Sequence, residues 1–261
     1  MRPCELDQRR LLLPETTDHS IVLITGNALR HRRFAYRIQH EFGSLVVAWF
    51  EPGGRKQREN KRQQLADQRL FESEVRELQH GAVVGPTVVM NPNSDDFVDA
   101  VRGLNPYFFL SLGGPIYRPE LLDSARGIAI SQHAGWSPIF RGTHAIARAL
   151  YHRQLGYVGA TVHITSADVD GGPILRRSQA ALTPWDTPET CFARVVALGT
   201  ELMCEAVTDI IECKEVVVYD QQLARGVASL NSQFDGGIEK AIERDFSNAW
   251  LSEAIRTQRQ F

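Results

Sequence analysis

The sequence predicts an α/β fold with a mostly parallel sheet covered by helices on both faces. Short, largely apolar runs are followed by segments with helical periodicity, an alternation typical of right-handed βαβ units. The strand candidates are residues 20–25, 45–50, 106–114, 127–133, 158–165 and 174–182. We therefore expect a Rossmann-like architecture, in which ligands bind outside the carboxyl ends of the strands.

The length and composition indicate one full-sized domain with a small appendage. The chain has 261 residues, of which 43% are hydrophobic, enough for a sizeable core. The strongest helix prediction covers 187–212, because Thr187 can cap the helix and Pro188 takes its first position. We divide the chain into an N-terminal extension (1–19), an α/β domain (20–212) and a small C-terminal accessory element of strand and helix (213–261).

The charge balance argues against several classes of partner. Lys and Arg total 29 against 31 Asp and Glu, so the formal net charge of -2 gives no global field for nucleic acid or anionic membranes. The first 20 residues contain three consecutive leucines flanked by charges, too short a run for a signal peptide or a membrane span. The four cysteines form no C-x-x-C pair, so no metal site is expected. We expect a cytoplasmic protein.

A strongly polar segment, residues 53–80, interrupts the strand pattern. Its sparse apolar residues predict a helix with a thin buried stripe formed by Leu65, Phe71, Val75 and Leu78. A solvated helix is the simpler interpretation. The alternative is that the basic run from Arg55 to Arg62 covers the site when an anionic substrate binds.

Two segments place titratable residues just past a predicted strand. In the first, SQHAGWSPIFRG, His133 leaves the strand at a turn, and Arg141 and Gly142 precede the next helix. In the second, GATVH at 159–163 leads to VDGGPIL at 169–175, which contains Asp170. Because ligands of such sheets bind at strand ends, these segments are candidates for one site.

This linked pair of motifs resembles the formyltransferase family. The family, which includes glycinamide ribonucleotide, methionyl-tRNA and sugar-nucleotide N-formyltransferases, shows Asn-x-His, then Gly-x-(Thr/Ser)-Val-His and Asp-x-Gly-Pro-Ile. The match extends over residues 106–205 and more weakly over 20–50. It implies the formyltransferase fold, a catalytic histidine at His133, a catalytic aspartate at Asp170, a supporting role for His163, and 10-formyltetrahydrofolate as formyl donor.

The sequence departs from the family at Ser131, which stands where the family has asparagine. Attack of an amine on a formyl carbon develops an oxyanion, which needs fixed hydrogen-bond donors; an imidazolium at His133 is one candidate, and Ser131 is another. A water on Asp170 would carry the proton from the amine to the folate nitrogen. Serine is shorter than asparagine. Three interpretations of this difference stay open: a water fills the space left by the shorter side chain, the active site has shifted, or formyl transfer has been lost.

The resemblance also implies where the folate binds. In the family the pterin lies between the loop after the strand preceding Asn-x-His and the loop that leads to the catalytic aspartate. These loops present backbone amides suited to a flat heterocycle. The predicted donor-binding residues are Gly114, Pro115, Ile116, Tyr117, Ser166, Val169 and Asp170.

The acceptor is less defined by the sequence. Gly26 and Asn27 end the first strand, and the basic residues that follow oppose the helix dipole, so an anionic ligand would relieve them. A solvated basic face is the competing interpretation. The predicted acceptor-binding residues are Gly26, Asn27, Arg32 and Arg141.

Together these features predict a folate-dependent N-formyltransferase for a small amine, such as an amino sugar or an anionic biosynthetic intermediate. The charge-balanced tail lacks the basic module expected of a tRNA-acting relative. A homodimer is one expected state. Two alternatives stay open: a non-catalytic folate- or ligand-binding protein of the same fold, and a transferase of another one-carbon or carbamoyl-like group.

Overall fold

The computed structural model describes residues 6–53, 60–213, 215–230 and 237–258. Apolar runs form the strands, and most of the segments between them form helices, as the alternating pattern predicts. The strands are β1 (Asp7–Leu12), β2 (Ile21–Thr25), β3 (Val46–Pro52), β4 (Pro86–Val89), β5 (Phe108–Leu112), β6 (Ile128–His133), β7 (Phe140–Gly142), β8 (Gly159–Ile164), β9 (Ile174–Gln179), β10 (Glu215–Asp220) and β11 (Val227–Ser229). The helices are α1 (Leu29–Phe42), α2 (Lys61–Gln79), α3 (Asp95–Leu104), α4 (Pro119–Leu122), α5 (Ala145–Tyr151), α6 (Pro188–Glu212), α7 (Gly237–Asp245) and α8 (Asn248–Gln258).

Nine of these strands form one mixed sheet in the order β1-β10-β9-β8-β6-β5-β2-β3-β4. From β4 to β6 all pairs are parallel, and from β6 to β1 all pairs are antiparallel. The predicted α/β, Rossmann-like class is therefore confirmed, with the parallel order limited to one half. The other half differs because a short loop joins β8 to β9, and short loops connect antiparallel strands only. β7 and β11 form a separate parallel pair.

The sheet is buried on both faces. Every residue of β2 and of β5 is buried, as expected for central strands that are covered on each side. One face packs against α1, α2, α5 and α6, with Phe34 and Val195 fully buried there. The other face packs against α3 and α4 through Phe97 and Leu121. These two apolar layers fix the strand ends from which the site is built.

Helix α6 begins and ends where the sequence predicts. The hydroxyl of Thr187 accepts a hydrogen bond from the amide of Thr190, and Pro188 occupies the first helical position. Its buried face carries Cys191, Val195 and Ile210, so it packs along the sheet beside β8 and β9. This packing supports β8 and β9 and the loop, residues 165–173, that joins them.

The polar segment also forms a helix, α2, but its buried stripe differs from the prediction. Phe71 and Val75 are buried as expected, whereas Leu65 is 65% exposed and its place in the stripe was wrong. Ala66 and Asp67 are buried instead, because Asp67 forms a 2.7 Å ion pair with Arg30 on α1. Most of the basic run considered as a cover, residues 55–59, lies outside the described residues.

Both flanking segments join the main sheet. Within the predicted N-terminal extension, β1 pairs with β10 through six residue pairs, from Asp7 with Asp220 to Leu12 with Glu215. The predicted C-terminal accessory element (213–261) contributes β10, which pairs with β9. Among the described helices, none combines the length and the apolar character needed to cross a bilayer.

Candidate active site

The candidate site lies where β5, β6 and β8 end beside one another. Ser131 on β6 is the register partner of both Ser111 on β5 and His163 on β8, so the sheet itself brings these side chains together. The loop from β8 to β9 brings Asp170 beside them. All four line a cleft with a volume of about 1300 Å³. The strand-end motifs that predicted one site therefore converge on one.

Asp170 lies at the centre of a compact group of polar contacts. Its Oδ2 accepts a 2.8 Å hydrogen bond from the amide of Gly142 and lies 3.1 Å from Nδ1 of His133. Its Oδ1 lies 3.4 Å from Nε2 of His163, a distance that favours charge attraction more than a full hydrogen bond. Asp170 has a φ of 45°, in the left-handed region, which turns the carboxylate back towards β6 and β8.

These contacts keep the carboxylate ionised. Burial alone raises the pKa of a carboxyl group, but electrostatic attraction to His133 and the contacts with His163 and the amide of Gly142 outweigh this effect. Together they hold the pKa of Asp170 well below its usual value. A carboxylate in this setting stays charged at neutral pH and can accept hydrogen bonds in the cleft.

His133 is engaged at both ring nitrogens. Nδ1 faces Asp170, and Nε2 lies 2.9 Å from the carbonyl oxygen of Phe140. The ring is only 6% exposed, and a side chain at Gly135 would collide with Nε2. Each ring nitrogen therefore has an oxygen acceptor within hydrogen-bond distance. The geometry therefore differs from the expected direct donation by His133 to an oxyanion.

Ser131 belongs to a row of three hydroxyl groups. Its Oγ lies 2.6 Å from Oγ of Ser111 and 2.8 Å from Oγ1 of Thr165. The neighbouring Gln132 points to the opposite face of β6, as alternation along a strand requires, and donates to the carbonyl of Val196 on α6. Short hydroxyl side chains thus occupy the region that a carboxamide would fill.

The two loops predicted to bind the donor both line the cleft. All seven predicted residues are among those lining it: Gly114, Pro115, Ile116, Tyr117, Ser166, Val169 and Asp170. Gly114 has no room for a side chain because the ring of Tyr117 packs against it. The Ile116 side chain is 58% exposed. Backbone polar groups beside an apolar surface fit a flat heterocycle that carries donors and acceptors.

A family model with the description Formyl transferase matches residues 19–207. The chain belongs to the formyl transferase family. A methionyl-tRNA formyltransferase from Thermodesulfovibrio yellowstonii is 30% identical over 114 residues, 43% of this chain and 37% of that protein. A phosphoribosylglycinamide formyltransferase from Mycobacterium tuberculosis is 34% identical over 92 residues, 35% of this chain and 42% of the relative. The chain thus matches less than half the length of either relative.

Solved formyltransferases share the fold at low sequence identity. A sugar N-formyltransferase from a Shewanella species superposes with a TM-score of 0.58 at 18% identity, covering 82% of this chain and 78% of that one. An N-formyltransferase from Helicobacter canadensis, solved with folinic acid and dTDP-3-aminofucose, superposes with a TM-score of 0.55 at 13% identity, covering 82% and 72% of the two chains. The family and the fold predicted from the motifs are confirmed.

In this family member the predicted acceptor residues lie outside the cleft lining. Gly26, Asn27, Arg32 and Arg141 are absent from the described residues that line it. Arg32 forms a 3.1 Å ion pair with Glu51. Arg141 donates to the carbonyl oxygens of Val169 and Leu223, so its guanidinium supports the loop between β8 and β9. Their assignment to the acceptor has no support from these positions.

Two residues of the same basic run that were not among the predicted acceptor-binding residues line the cleft instead, Arg30 and His31. The ring of His31 fills the space between Gly26 and Gly113, where a side chain on either glycine would collide with it. Nδ1 accepts the amide of Ala28 at 3.3 Å. Burial and the charge of Arg30 hold the pKa of His31 well below 6.5, so the ring is neutral. The basic run in the sequence did not predict that His31 packs between these two glycines.

The arginines of α1 are neutralised by acids from other elements. Arg30 pairs with Asp67 on α2, Arg32 with Glu51 on β3, and Arg33 with Glu74 and Glu201. The helix therefore needs no bound anion to balance these charges. Ser111 and Thr165 were also missed, because a single hydroxyl in a strand carries no pattern before its partners are known.

Proposed function

We propose that this protein is a folate-dependent N-formyltransferase that moves the formyl group of 10-formyltetrahydrofolate to the amine of a small metabolite. The observation that carries the proposal is the contact of Asp170 with His133 and His163 in the wall of a cleft bounded by the two predicted donor loops. A partly buried, ionised carboxylate beside two imidazoles is suited to proton transfer between an amine and a leaving nitrogen.

The loops Gly113–Tyr117 and Ser166–Asp170 would hold the donor. When bound, the folate supplies the formyl carbon that the amine attacks. The exposed side chain of Ile116 offers apolar contact, and the backbone groups of both loops offer hydrogen bonds to the edge of the ring. The folinic acid complex of the Helicobacter canadensis neighbour supports a folate donor for this cleft.

Asp170 would accept the proton of the attacking amine through a water. Oδ2 is occupied by the amide of Gly142 and by His133, whereas Oδ1 makes no full hydrogen bond among the described residues and lies 3.4 Å from Nε2 of His163. Oδ1 is therefore the oxygen that can hold a water. His133, bonded to Phe140 and Asp170, would orient the carboxylate and place positive charge near the developing oxyanion.

Ser131 would donate to that oxyanion. A hydroxyl group has one proton and two lone pairs. If Ser111 and Thr165 both donate to Ser131, its two lone pairs are used and its own proton is left for the cleft. Chains of hydrogen bonds polarise one another, which strengthens the terminal donor. This arrangement supports catalysis with serine in the place of the family asparagine.

The acceptor in this proposal is a small amine, and the amino sugar remains the preferred example. The paired arginines of α1 remove the earlier argument for an anionic acceptor. Curated relatives include dTDP-4-amino-4,6-dideoxyglucose formyltransferase from Mycobacterium bovis, 29% identical over 85 residues. The cytoplasmic location, the absence of nucleic-acid partners and the homodimer stay predictions.

Calorimetric titration with a stable 10-formyltetrahydrofolate analogue tests the donor. The parent should bind, and Ile116→Asp should bind at least about tenfold more weakly, because a charge replaces apolar contact surface. Val88→Asp is the matched control, since Val88 is 64% exposed on β4 and does not line the cleft. Equal loss in both variants, or no binding by the parent, contradicts the proposed site.

Turnover is then tested by mass spectrometry with a panel of amines, in which formylation adds CO to the product. Binding of the analogue without product for any amine would favour the non-catalytic alternative. A product of a different added mass would favour transfer of another one-carbon or carbamoyl-like group.

A further inference from the structure

After β10 the chain returns to the loop that carries Asp170, between β8 and β9. It does so through residues 221–229, here called the return segment. Nε2 of Gln221, the first residue of this segment, donates to the carbonyl oxygens of Asp170 at 2.9 Å and of Gly172 at 2.6 Å. One side-chain amide thus joins both ends of the turn that carries the catalytic carboxylate. Gln221 touches the backbone of this turn rather than the reacting groups.

The backbone of this turn needs such support. Asp170 has a φ of 45°, and a residue with a side chain adopts the left-handed region only when its surroundings fix it there. Gly172 lies so close to the carbonyl of Ile164 that a side chain would collide with it. The carbonyl of Asp170 has a second donor in the hydroxyl of Ser137, at 3.3 Å. The shorter bond comes from Gln221.

The same segment also fixes the amide that Asp170 accepts. Ser229 at its far end accepts the amide of Thr143 at 2.8 Å and donates its hydroxyl to the carbonyl of the same residue. These bonds fix the residue that follows Gly142, whose own amide donates to Oδ2 of Asp170. The return segment therefore contacts the turn that bears Asp170 and the strand that presents its hydrogen-bond donor.

From this geometry we propose that Gln221 is a positioning residue, which keeps the Asp170 carboxylate in contact with His133 and His163. The inference rests on the proposed formyl transfer for its effect on turnover, but not for its effect on the two imidazoles. A turn released at both carbonyls can rotate Asp170 out of its left-handed conformation. The carboxylate would then leave one or both rings.

The test replaces Gln221 by methionine, which has similar length and no hydrogen-bond donor. Oε1 of Gln221 is buried and has no partner among the described residues, so methionine removes only the two hydrogen bonds that Nε2 donates to the carbonyls of Asp170 and Gly172. Gln222→Met is the matched control, because the side chain of Gln222 makes no hydrogen bond within the part of the chain described. Gln221→Glu keeps the shape and replaces the donor by an acceptor.

Two readouts separate positioning from general destabilisation. In formylation assays, Q221M should lower kcat by about 10²-fold with KM changed less than about threefold, since a misplacement of about 1 Å has an effect of this size. In spectra of protein with ¹⁵N-labelled histidine, the ring signals of His133 and His163 should shift in Q221M and Q221E and stay unchanged in Q222M.

Unshifted histidine signals in a folded Q221M or Q221E protein would overturn the inference, whatever the turnover. So would a kcat of Q221M within twofold of the parent in an active protein. If the parent formylates nothing while the histidine signals shift as expected, the proposed function fails and the positioning role stands. If Q221M does not fold, Q221E provides the same two readouts.

Discussion

The two halves of the candidate site are built on neighbouring strands but rely on different physics. In one half, an ionised Asp170 contacts the buried rings of His133 and His163, and backbone groups fix each member. In the other half, Ser111, Ser131 and Thr165 form a neutral row joined only by hydroxyl hydrogen bonds. The contacts in the two halves range from 2.6 Å between Ser111 and Ser131 to 3.4 Å between His163 and Asp170. The site thus combines a carboxylate held in place with a hydroxyl donor that can reorient.

The contrast between the charged half and the hydroxyl half shows which substitutions relative to the family pattern a site can tolerate. Replacing the carboxylate alone by a neutral group leaves its partners without the charge around which they are arranged. A hydroxyl donor can be replaced by another neutral donor if neighbours supply the missing hydrogen bonds. The serine of this chain lies in the neutral half, where such an exchange is least disruptive.

The largest effect should follow from removing the charge of the first half. Asp170→Asn should lower kcat by about 10²–10⁴-fold, since the amide cannot accept the proton that the carboxylate takes. Steady-state kinetics with the identified amine measure this, with far-ultraviolet circular dichroism to confirm the fold. Asp123→Asn, exposed on the opposite face of the sheet from α6, is the control and should retain parental turnover. A D170N variant with parental kcat would refute the role of the carboxylate.

A smaller effect should follow in the hydroxyl half. Ser131→Ala should lower kcat by about 10²-fold or somewhat more, the effect of losing one oxyanion donor. Thr165→Val removes only a bond to that donor and should cost about 3- to 10-fold. The same kinetic assay compares the kcat values of the two variants. A T165V variant as slow as S131A would mean that Thr165 itself contacts the substrate. The kcat of Ser131→Asn shows whether the family residue gives a faster enzyme.

The smallest effect concerns stability as a function of pH. Because the folded-state pKa of Asp170 is lowered, the unfolded chain binds the proton first as pH falls. The contribution of Asp170 to the free energy of unfolding is therefore complete above the unfolded value of about 4 and declines below it. Urea unfolding of parent and D170N at pH 7 and pH 3.5 should show a stability difference that shrinks on acidification.

T165V serves as the reference for that measurement. Its stability difference from the parent involves no titrating group and should be the same at both pH values. A D170N difference that is equally flat would mean that the carboxylate gains no stabilisation from its two histidines.

Much of the fold followed from local sequence pattern. The apolar runs of β2 and β5 and the capped start of α6 at Thr187 are signals within a few residues, and all form as predicted. His133 and Asp170 were found because motifs around each resemble a known family. Their contact itself joins residues 37 positions apart and was implied by the resemblance, not by spacing.

The rest depends on contacts between distant residues that no local pattern encodes. Gln221 meets Asp170 across 51 positions, and Arg30 meets Asp67 across 37. The basic run of α1 indicated an anionic ligand because its acidic partners lie on other elements. Likewise β1 has a polar, exposed sequence, and only its pairing with β10 makes it a strand.

That pairing has a practical consequence for work on the protein. β1 covers one edge of the sheet, and the ion pair of Arg9 with Asp220, at 2.9 Å, lies one residue from Gln221. Removing β1 while keeping β10 would uncover the backbone of β10 beside Val217, an edge that can pair with strands of other chains. Preparations that lack β1 should therefore aggregate. A fusion tag that disturbs the pairing of β1 should lower turnover, although β1 lies away from the cleft.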